Sequence, residues 1–349
     1  MAATPFGACP APLSRYQHVL LGHGSGGRLT AELLRHVFLP AFSSPMLAAL
    51  EDQATVAVPG GKIAITTDSF VVRPLFFPGG DIGKLAVNGS VNDLAVGGAR
   101  PLFLAAAFIL EEGLPIADLQ RAVESMRRAC DEAEVALVTG DTKVVDRGKG
   151  DGIFITTTAV GVVPEGRALS IASARPGDVL LVSGTLGDHG VAILSVREGI
   201  EFETPLESDC APLTGLAAAV LAASAGVRCM RDPTRGGLSS ALNELAEASR
   251  VGVELEESAV PLKPEVRSAC EMLGLDPFYV ACEGRLVAAV AAEDAARVLQ
   301  AMRAHPLGRE AAIVGRVVAD HPGLVTVRSL VGGERVLPLL SGEQLPRIC

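Results

Sequence analysis

Residues 54–70 read ATVAVPGGKIAITTDSF, and this stretch sets the architecture of the first half of the chain. Apolar and small polar residues recur across 54–58 and again across 62–67, and Pro59-Gly60-Gly61 supplies the turn between two strands. Asp68-Ser69-Phe70 follows the second strand directly, which leaves a carboxylate at a strand end. Working outward, the pattern predicts a helix over 82–96, an extended segment over 101–110 and a strong helix over 115–133. Residues 135–145 and 152–163 read as two further strands, joined by the polar, glycine-bearing loop Asp146–Asp151. Upstream, the cluster Gly22-His23-Gly24-Ser25-Gly26-Gly27 precedes a helical pattern that runs to about His36.

A boundary is expected near Pro164-Glu165-Gly166. Strand-like Asp178–Ser183 opens a second unit, and Gly184–Gly190 forms its own glycine-rich turn. Helices are expected over 187–198, 212–226, 236–249 and 293–304, with strands near 252–256, 286–291, 311–319 and 324–329. Both halves mix strands and helices, so the predicted fold class is α/β (α+β) in two domains of similar size. Residues 1–19 are rich in Pro and Ala and are expected to be disordered, and aperiodic Pro338–Cys349 reads as a flexible tail. The expected division is therefore 1–19, 20–165, 166–337 and 338–349.

The chain's 349 residues fit about two domains of ordinary size. At 49% hydrophobic and 20% charged residues, it buries enough apolar surface to exclude intrinsic disorder. The net charge of −10 argues against a generic nucleic-acid coat, and the absence of Trp removes a stacking platform for single strands. The longest apolar runs, Leu102–Leu110 and Leu216–Val227, fall well short of the ~18–20 residues that a bilayer requires. No charge precedes Arg15, and Pro occupies positions 5, 10 and 12, so the start lacks the pattern of a signal peptide. A cytosolic protein is expected. Its seven cysteines, at 9, 130, 210, 229, 270, 282 and 349, include no CxxC and fit neither a disulfide framework nor a zinc site.

Gly22-x-Gly24-x-x-Gly27 matches the letter of a dinucleotide fingerprint, but its context fails. The helix runs into Pro40, Ser43, Ser44 and Pro45, and Glu51-Asp52 follows no apolar strand. A simple NAD-dependent oxidoreductase is therefore disfavoured. A Walker A motif is absent, because Ile63 follows Gly60-Gly61-Lys62. The glycine density still favours a backbone loop that closes over phosphate.

Four acidic positions carry more information. Asp68 ends an apolar alternation, Asp93 lies in a helical stretch beside Asn92, Asp141 follows the strand Val135–Val138, and Asp232 precedes the helix near Gly236. Each alone is most simply a turn former or helix cap. Asn92-Asp93 resists that explanation, since both are poor mid-helix residues. Together, beside small hydroxyl residues, they suit Mg²⁺ and a triphosphate, because hard Mg²⁺ takes oxygen ligands and bridges phosphates.

Seven stretches then carry a resemblance: GHGSGGR (22–28), TTDSFVV (66–72), GSVNDLAVGGARP (89–101), VTGDTKVV (138–145), SGTLGDHGVAIL (183–194), RDPTRGGL (231–238) and PRIC (346–349). In this order, and with the terminal cysteine, they resemble the HypE family of hydrogenase maturation proteins. That family lies in the superfamily of aminoimidazole ribonucleotide synthetase and selenophosphate synthetase. The resemblance spans Gly22 to Cys349 and implies a two-domain aminoimidazole ribonucleotide synthetase-like fold. It implies a cytoplasmic homodimer that binds ATP and Mg²⁺ near its clefts. It also implies that Cys349 receives a carbamoyl group from a HypF-like carbamoyltransferase. ATP then drives dehydration of the S-carboxamide to a thiocyanate, and the cyanide passes to a HypC–HypD complex for the iron centre of [NiFe]-hydrogenase.

The resemblance also places residues. Gly24, Ser25, Gly26, Gly27, Asp68, Asn92, Asp93, Asp141, Thr142 and Lys143 are expected at the nucleotide, and Asp68, Asp93, Asp141 and Asp232 at the metal. Cys349, Lys143 and Glu283 are expected to carry the chemistry, Glu283 as the base that removes N–H protons. Without the resemblance, Lys143 reads as a solvated lysine and Glu283 as a partner of Arg285. Two other functions stay open at this point. One is a sister synthetase of the same superfamily, though Cys9-Pro10-Ala11 does not match the Cys–Lys loop of selenophosphate synthetase. The other is a nucleotide-responsive assembly scaffold without catalysis.

Overall fold

The computed structural model describes residues 26–42, 48–166, 169–200, 202, 205–340, 345 and 347–349. The predicted hairpin is formed by β1 (Ala54–Val58) and β2 (Gly61–Phe70), with Ala54 opposite Ile65 and Val58 opposite Gly61. It opens a sheet of five strands. β2 is followed in the sheet by β7 (Ile153–Val162), β5 (Arg100–Glu111) and, at the edge, β6 (Ala136–Val145). Neighbours run antiparallel except β5 and β6, which run parallel. A short ribbon of β3 (Phe76–Phe77) and β4 (Gly80–Asp81) leads from β2 towards the first long helix.

That helix, α3 (Ile82–Val96), is almost wholly buried. Its start is set by Asp81, whose carboxylate accepts from the Gly83 and Lys84 amides at 2.8 and 3.1 Å. It lies on β2 and β7 and beneath α4 (Ile116–Ala133). The two helices approach so closely that a Cβ on Gly83 would stand 2.1 Å from the Ala122 carbonyl oxygen. On β7 the period of two is plain: Ile153, Ile155, Thr157 and Ala159 are buried, while the residues between them are half-buried. β6 has no such inner face and is exposed along nearly its whole length.

The second sheet has seven strands, in the order β14 (Glu334–Val336), β13 (Val325–Arg328), β10 (Gly252–Glu256), β12 (Ala312–Val318), β8 (Val179–Val182), β11 (Val287–Val290) and β9 (Val227–Arg231). One face is covered by α7 (Gly237–Ser249), whose Leu238, Leu242 and Leu245 pack with Leu180, Val253 and Val287. The other is covered by α6 (Thr214–Ala223) and α9 (Ala295–Ala304). Ala95 and Val96, at the end of α3, belong to this second core, so α3 packs the two sheet layers together. α5 (Asp188–Glu198) and α8 (Pro264–Leu273) share a smaller cluster through Val191, Val266 and Cys270.

The short ribbon β3–β4 was not anticipated, nor were β9, α8 and β14 in the second half. β9 reads VRCMR, and its arginines mask a short strand that is buried at Val227, Cys229 and Met230. α8 buries only Val266, Ala269 and Cys270, a stripe too brief to stand out as a helical period. At the start of the described chain, α1 (Arg28–Leu33) passes through a π-helical turn, Leu34–Phe38, into α2 (Leu39–Phe42). Gly26 and Gly27 lead directly into α1, while the rest of the glycine cluster, Gly22–Ser25, lies outside the described residues. The expectation for residues 1–19 lies outside the described residues. Among the described residues, no helix is long and apolar enough to cross a membrane.

Candidate functional site

Three carboxylates meet where β1 begins and where α3 and β9 end. Asp52, Asp93 and Asp232 each present an oxygen within 4.8 Å of the others. Asp52 precedes β1, Asp93 stands in the last turn of α3, and Asp232 follows β9. Asp93 accepts a hydrogen bond of 2.6 Å from the Thr66 hydroxyl on β2. Asp52 pairs with Arg231 at 3.0 Å, and Arg231 also binds Glu244 of α7. Burial is the first cause that pushes these acids upward, and their mutual repulsion adds to it. Asp52 and Asp93 are raised well above the usual carboxylate range, and Asp232 is raised to about 6. Asp68, on β2, adds its charge to the repulsion at Asp93 and Asp232.

This donor set fits a hard divalent cation. It is all oxygen, it is short of positive charge, and its ligand atoms are already close together. Asp52 is not among the sequence candidates, because in sequence Glu51-Asp52 offers only the ribose acid of a dinucleotide site. The available signal was an acidic pair immediately before the first strand.

The cluster floors a cleft of about 670 Å³, also lined by Gly26, Gly27, Thr67, Asp68, Arg231 and Arg235. That volume lies in the range of small-molecule sites. Of the glycine motif, Gly26 and Gly27 line this cleft, while Gly24 and Ser25 lie outside the described residues. A smaller pocket adjoins the cleft and shares Asp68, Asp93, Asp232, Thr234 and Arg235 with it. Its remaining lining includes Glu283 and Cys349. Five of the sequence candidates thus face one cavity: Asp68, Asp93, Asp232, Glu283 and Cys349.

Glu283 is only 2% exposed, and its Oε1 atom has no hydrogen-bond partner. Desolvation, then the charges of Asp232, Asp209 and Asp68, raise it well above the usual glutamate range; Arg235 opposes this. Its loop is held against Asp209, through that residue's carboxylate and its backbone. The Glu283 amide donates to Asp209 at 3.0 Å, and a Cβ on Gly284 would stand 1.8 Å from the Asp209 carbonyl oxygen. Only glycine permits that approach. Arg285, which the sequence offered as a partner for Glu283, instead pairs with Asp188 at 3.3 Å and Asp209 at 3.5 Å. Arg235 is the cation of the small pocket. The charge of Cys349 is the first cause that raises it, with Asp68, Glu283 and Asp93 adding.

Two groups of candidates stand elsewhere. Asn92 faces the second sheet layer, not the cleft. Its amide donates to the Ala211 and Glu283 carbonyls at 3.1 and 3.2 Å, and its oxygen accepts from the Leu213 amide at 2.7 Å. An amide so committed has little capacity left for a nucleotide, so Asn92 is a staple for the Glu283 loop. Asp141, Thr142 and Lys143 lie on the exposed edge strand β6, where Lys143 pairs with Asp141 at 2.9 Å. Asp141 registers with Ala107 on β5, Ala107 with Thr156 on β7, and Thr156 with Ser69 on β2. Three strand spacings, roughly 14 Å, therefore separate it from the end of β2. Within one chain these three residues do not join the acidic cluster.

The expected tail has a definite seat at its end. Ile348 is buried, and Cys349 is half-buried. The other cysteines described, at 130, 210, 229, 270 and 282, are buried, and none of the described cysteines forms a disulfide.

Residues 50–163 match the family described as AIR synthase related protein, N-terminal domain, and residues 175–328 match the C-terminal domain of the same family. A protein of Azotobacter vinelandii named carbamoyl dehydratase HypE is 59% identical over 327 residues, covering 94% of this chain and 96% of that protein. A solved HypE–HypF complex contains a chain with 47% identity and a TM-score of 0.84, covering 88% of this chain and 99% of that one. A HypE structure in complex with ATP has 46% identity and a TM-score of 0.80, covering 95% and 100%.

Proposed function

The chain belongs to the HypE family of carbamoyl dehydratases, and on that premise we propose how its residues divide the work. It is an ATP-dependent enzyme that converts a carboxamide to a thiocyanate for hydrogenase maturation. We assign the carboxamide to the sulfur of Cys349. The observation that supports this most directly is the small pocket in which Cys349, Glu283 and Arg235 meet the acidic cluster beside the larger cleft.

A primary amide does not lose water readily, because its oxygen is a poor leaving group. The amide oxygen attacks the γ-phosphorus of ATP, ADP departs, and one N–H proton is lost. The C–O bond then breaks, phosphate leaves, and the second N–H proton is removed as C≡N forms. The amide oxygen ends in phosphate, and the sulfur keeps the nitrile carbon. The carboxylates Asp52, Asp93 and Asp232, with Asp68 beside them, would hold Mg²⁺. Bound there, the metal supplies positive charge to the phosphate oxygens.

The chain's own groups do the rest. Arg235 offsets negative charge between the tail and the cluster. Glu283, buried and poorly solvated, is a stronger proton acceptor than an exposed glutamate and receives the N–H proton. Domain limits of 20–165 and 166–337 put the acids of β2 and α3 in the first domain and Asp232, Arg235 and Glu283 in the second. Residues 338–349 bring the substrate between them.

We further assign a homodimer. Leu137, Val138 and Val144 on the edge strand and Phe103 and Ile109 on its neighbour are exposed apolar residues on one sheet. Pairing of such a sheet with a second copy covers them. It also offers a route for Asp141, Thr142 and Lys143 of one copy to reach the cleft of the other. A HypF-like carbamoyltransferase loads Cys349, and a HypC–HypD complex takes the cyanide.

Intact-protein mass spectrometry tests the reaction. The chain is incubated with a HypF-like partner and carbamoyl phosphate, with and without Mg-ATP. The expected result is one carboxamide on the Cys349 peptide, followed by loss of one water only when Mg-ATP is present. A Cys349 that is never modified while a control HypE is converted overturns the assignment and leaves the scaffold reading.

A further inference from the structure

The substrate of this enzyme, on the reading above, is the end of its own chain, so every group that grips the tail is a substrate-binding group. The main-chain oxygens of residues 347–349 are each engaged. The Arg347 carbonyl accepts from the Arg73 amide at 3.1 Å and from the Arg197 guanidinium at 2.8 Å. The Ile348 carbonyl accepts from His189 Nε2 at 2.7 Å. The Cys349 carbonyl accepts from the Val71 amide at 3.0 Å. The bonds from residues 71 and 73 to 349 and 347 have the register of an antiparallel pair, so the tail adds to the chain just after β2.

Side chains separate by role. The Ile348 side chain is buried with Phe70, Val72, Phe77 and Ile193. Gly190 lies against it, and a Cβ there would come 3.3 Å from Ile348 Cδ1. Arg347 instead turns outward and pairs with Asp151 at 3.1 Å. Its φ of 56° lies in the left-handed region, which a non-glycine residue holds only when its neighbours fix it.

His189 is fully buried and donates from one nitrogen only. Ser208 Oγ accepts from the Cys210 amide at 3.1 Å, and its hydroxyl donates to His189 Nδ1 at 2.8 Å. That arrangement leaves the ring proton on Nε2, aimed at the Ile348 carbonyl. Phe77 packs edge-on to the ring, with centroids 5.5 Å apart. Neither the reaction chemistry nor the cation cluster uses this histidine.

We propose that His189 and the apolar pocket around Ile348 form a subsite that reads the residue before the reacting cysteine and sets Cys349 beside Glu283. His189 is a positioning residue and does not touch the reacting atoms. The subsite discriminates two steps that make opposite demands on the tail. Carbamoylation by a partner requires the tail to leave its seat, and dehydration requires it to return. Loss of the subsite therefore slows dehydration and not loading.

The test uses the full-length chain, with Ile348→Asp, His189→Leu and His189→Gln. Ile348→Asp puts a charge into the apolar seat of the chain end. Without nucleotide, iodoacetamide labelling of Cys349 is followed by mass spectrometry, with buried Cys210 and Cys282 as internal controls for unfolding. Losing the clamp raises the Cys349 rate by about tenfold in Ile348→Asp and His189→Leu. His189→Gln, whose amide can still donate to the Ile348 carbonyl, stays near the parent rate. With partner and Mg-ATP, the first two variants load the carboxamide at least as fast as the parent but dehydrate it about tenfold more slowly. An unchanged labelling rate in Ile348→Asp overturns the subsite, as does a defect confined to loading. The labelling arm needs no catalysis, so a parent chain that never dehydrates its tail counts against the proposed function alone.

Discussion

Glu283 combines burial, a raised proton affinity and an oxygen without a hydrogen bond, which a purely structural glutamate would shed. In an unfolded chain a glutamate ionises near about 4.3. In the fold Glu283 holds its proton to higher pH, so above about 4.3 the unfolded state loses its proton first and stability falls as pH rises. Glu283→Gln removes that penalty. The variant is expected to melt higher than the parent, by a margin that grows from pH 4 towards neutrality, while its dehydration rate falls about 10²–10⁴-fold. Melting curves across pH, paired with single-turnover rates, check both arms; a variant less stable than the parent at neutral pH would exclude the charged-base reading. The acidic cluster was only partly legible at this scale. Asp68, Asp93 and Asp232 stood out by their neighbours, whereas Asp52 required the fold to bring a loop residue against β9.

Helix α3 shows what one element contributes. Its bounds, Ile82–Val96, coincide with the predicted helix, because a capping aspartate at the start and the recurring apolar residues along it are local signals that outweigh Gly83, Gly89 and Asn92-Asp93. The purpose of Asn92 within it was not local. Its side chain spans to residues 211, 213 and 283, and only packing of the two sheet layers creates those partners. Asn92→Ala leaves the buried Leu213 amide without its acceptor and loosens the Glu283 loop. A loss of about 1–3 kcal/mol in urea unfolding is expected, together with slower dehydration. A variant that keeps parental stability argues against the staple. Elements without such signals, β9 and α8 among them, escaped because they are short and their apolar stripes are interrupted.

At the scale of the molecule, the exposed edge of the first sheet is the feature that one chain leaves unfinished. Asp141 and Lys143 carry the motif that the resemblance places at the nucleotide, yet they stand on a solvent-facing strand away from the cleft. Replacing Val138 and Val144 together by Lys puts charge on the apolar edge without touching either core. The double variant is expected to sediment as a monomer, to keep its circular dichroism and to lose ATP-dependent dehydration. A variant that remains dimeric, or a monomer with full activity, contradicts the assembly proposed for β6.

The amino-acid sequence by itself determined the two-domain mixed architecture, most helix and strand positions, and the residues able to carry phosphate and carbamoyl chemistry. These follow from periodicity, capping and motif order, all of which act over a few neighbouring residues. Only the tertiary structure decided that Asp52 joins Asp93 and Asp232, that Arg285 serves Asp188 and Asp209 instead of Glu283, and that the chain end is seated by His189. Those contacts join segments far apart in the chain. They exist only once burial of the apolar faces has brought the segments together, and no local pattern encodes them.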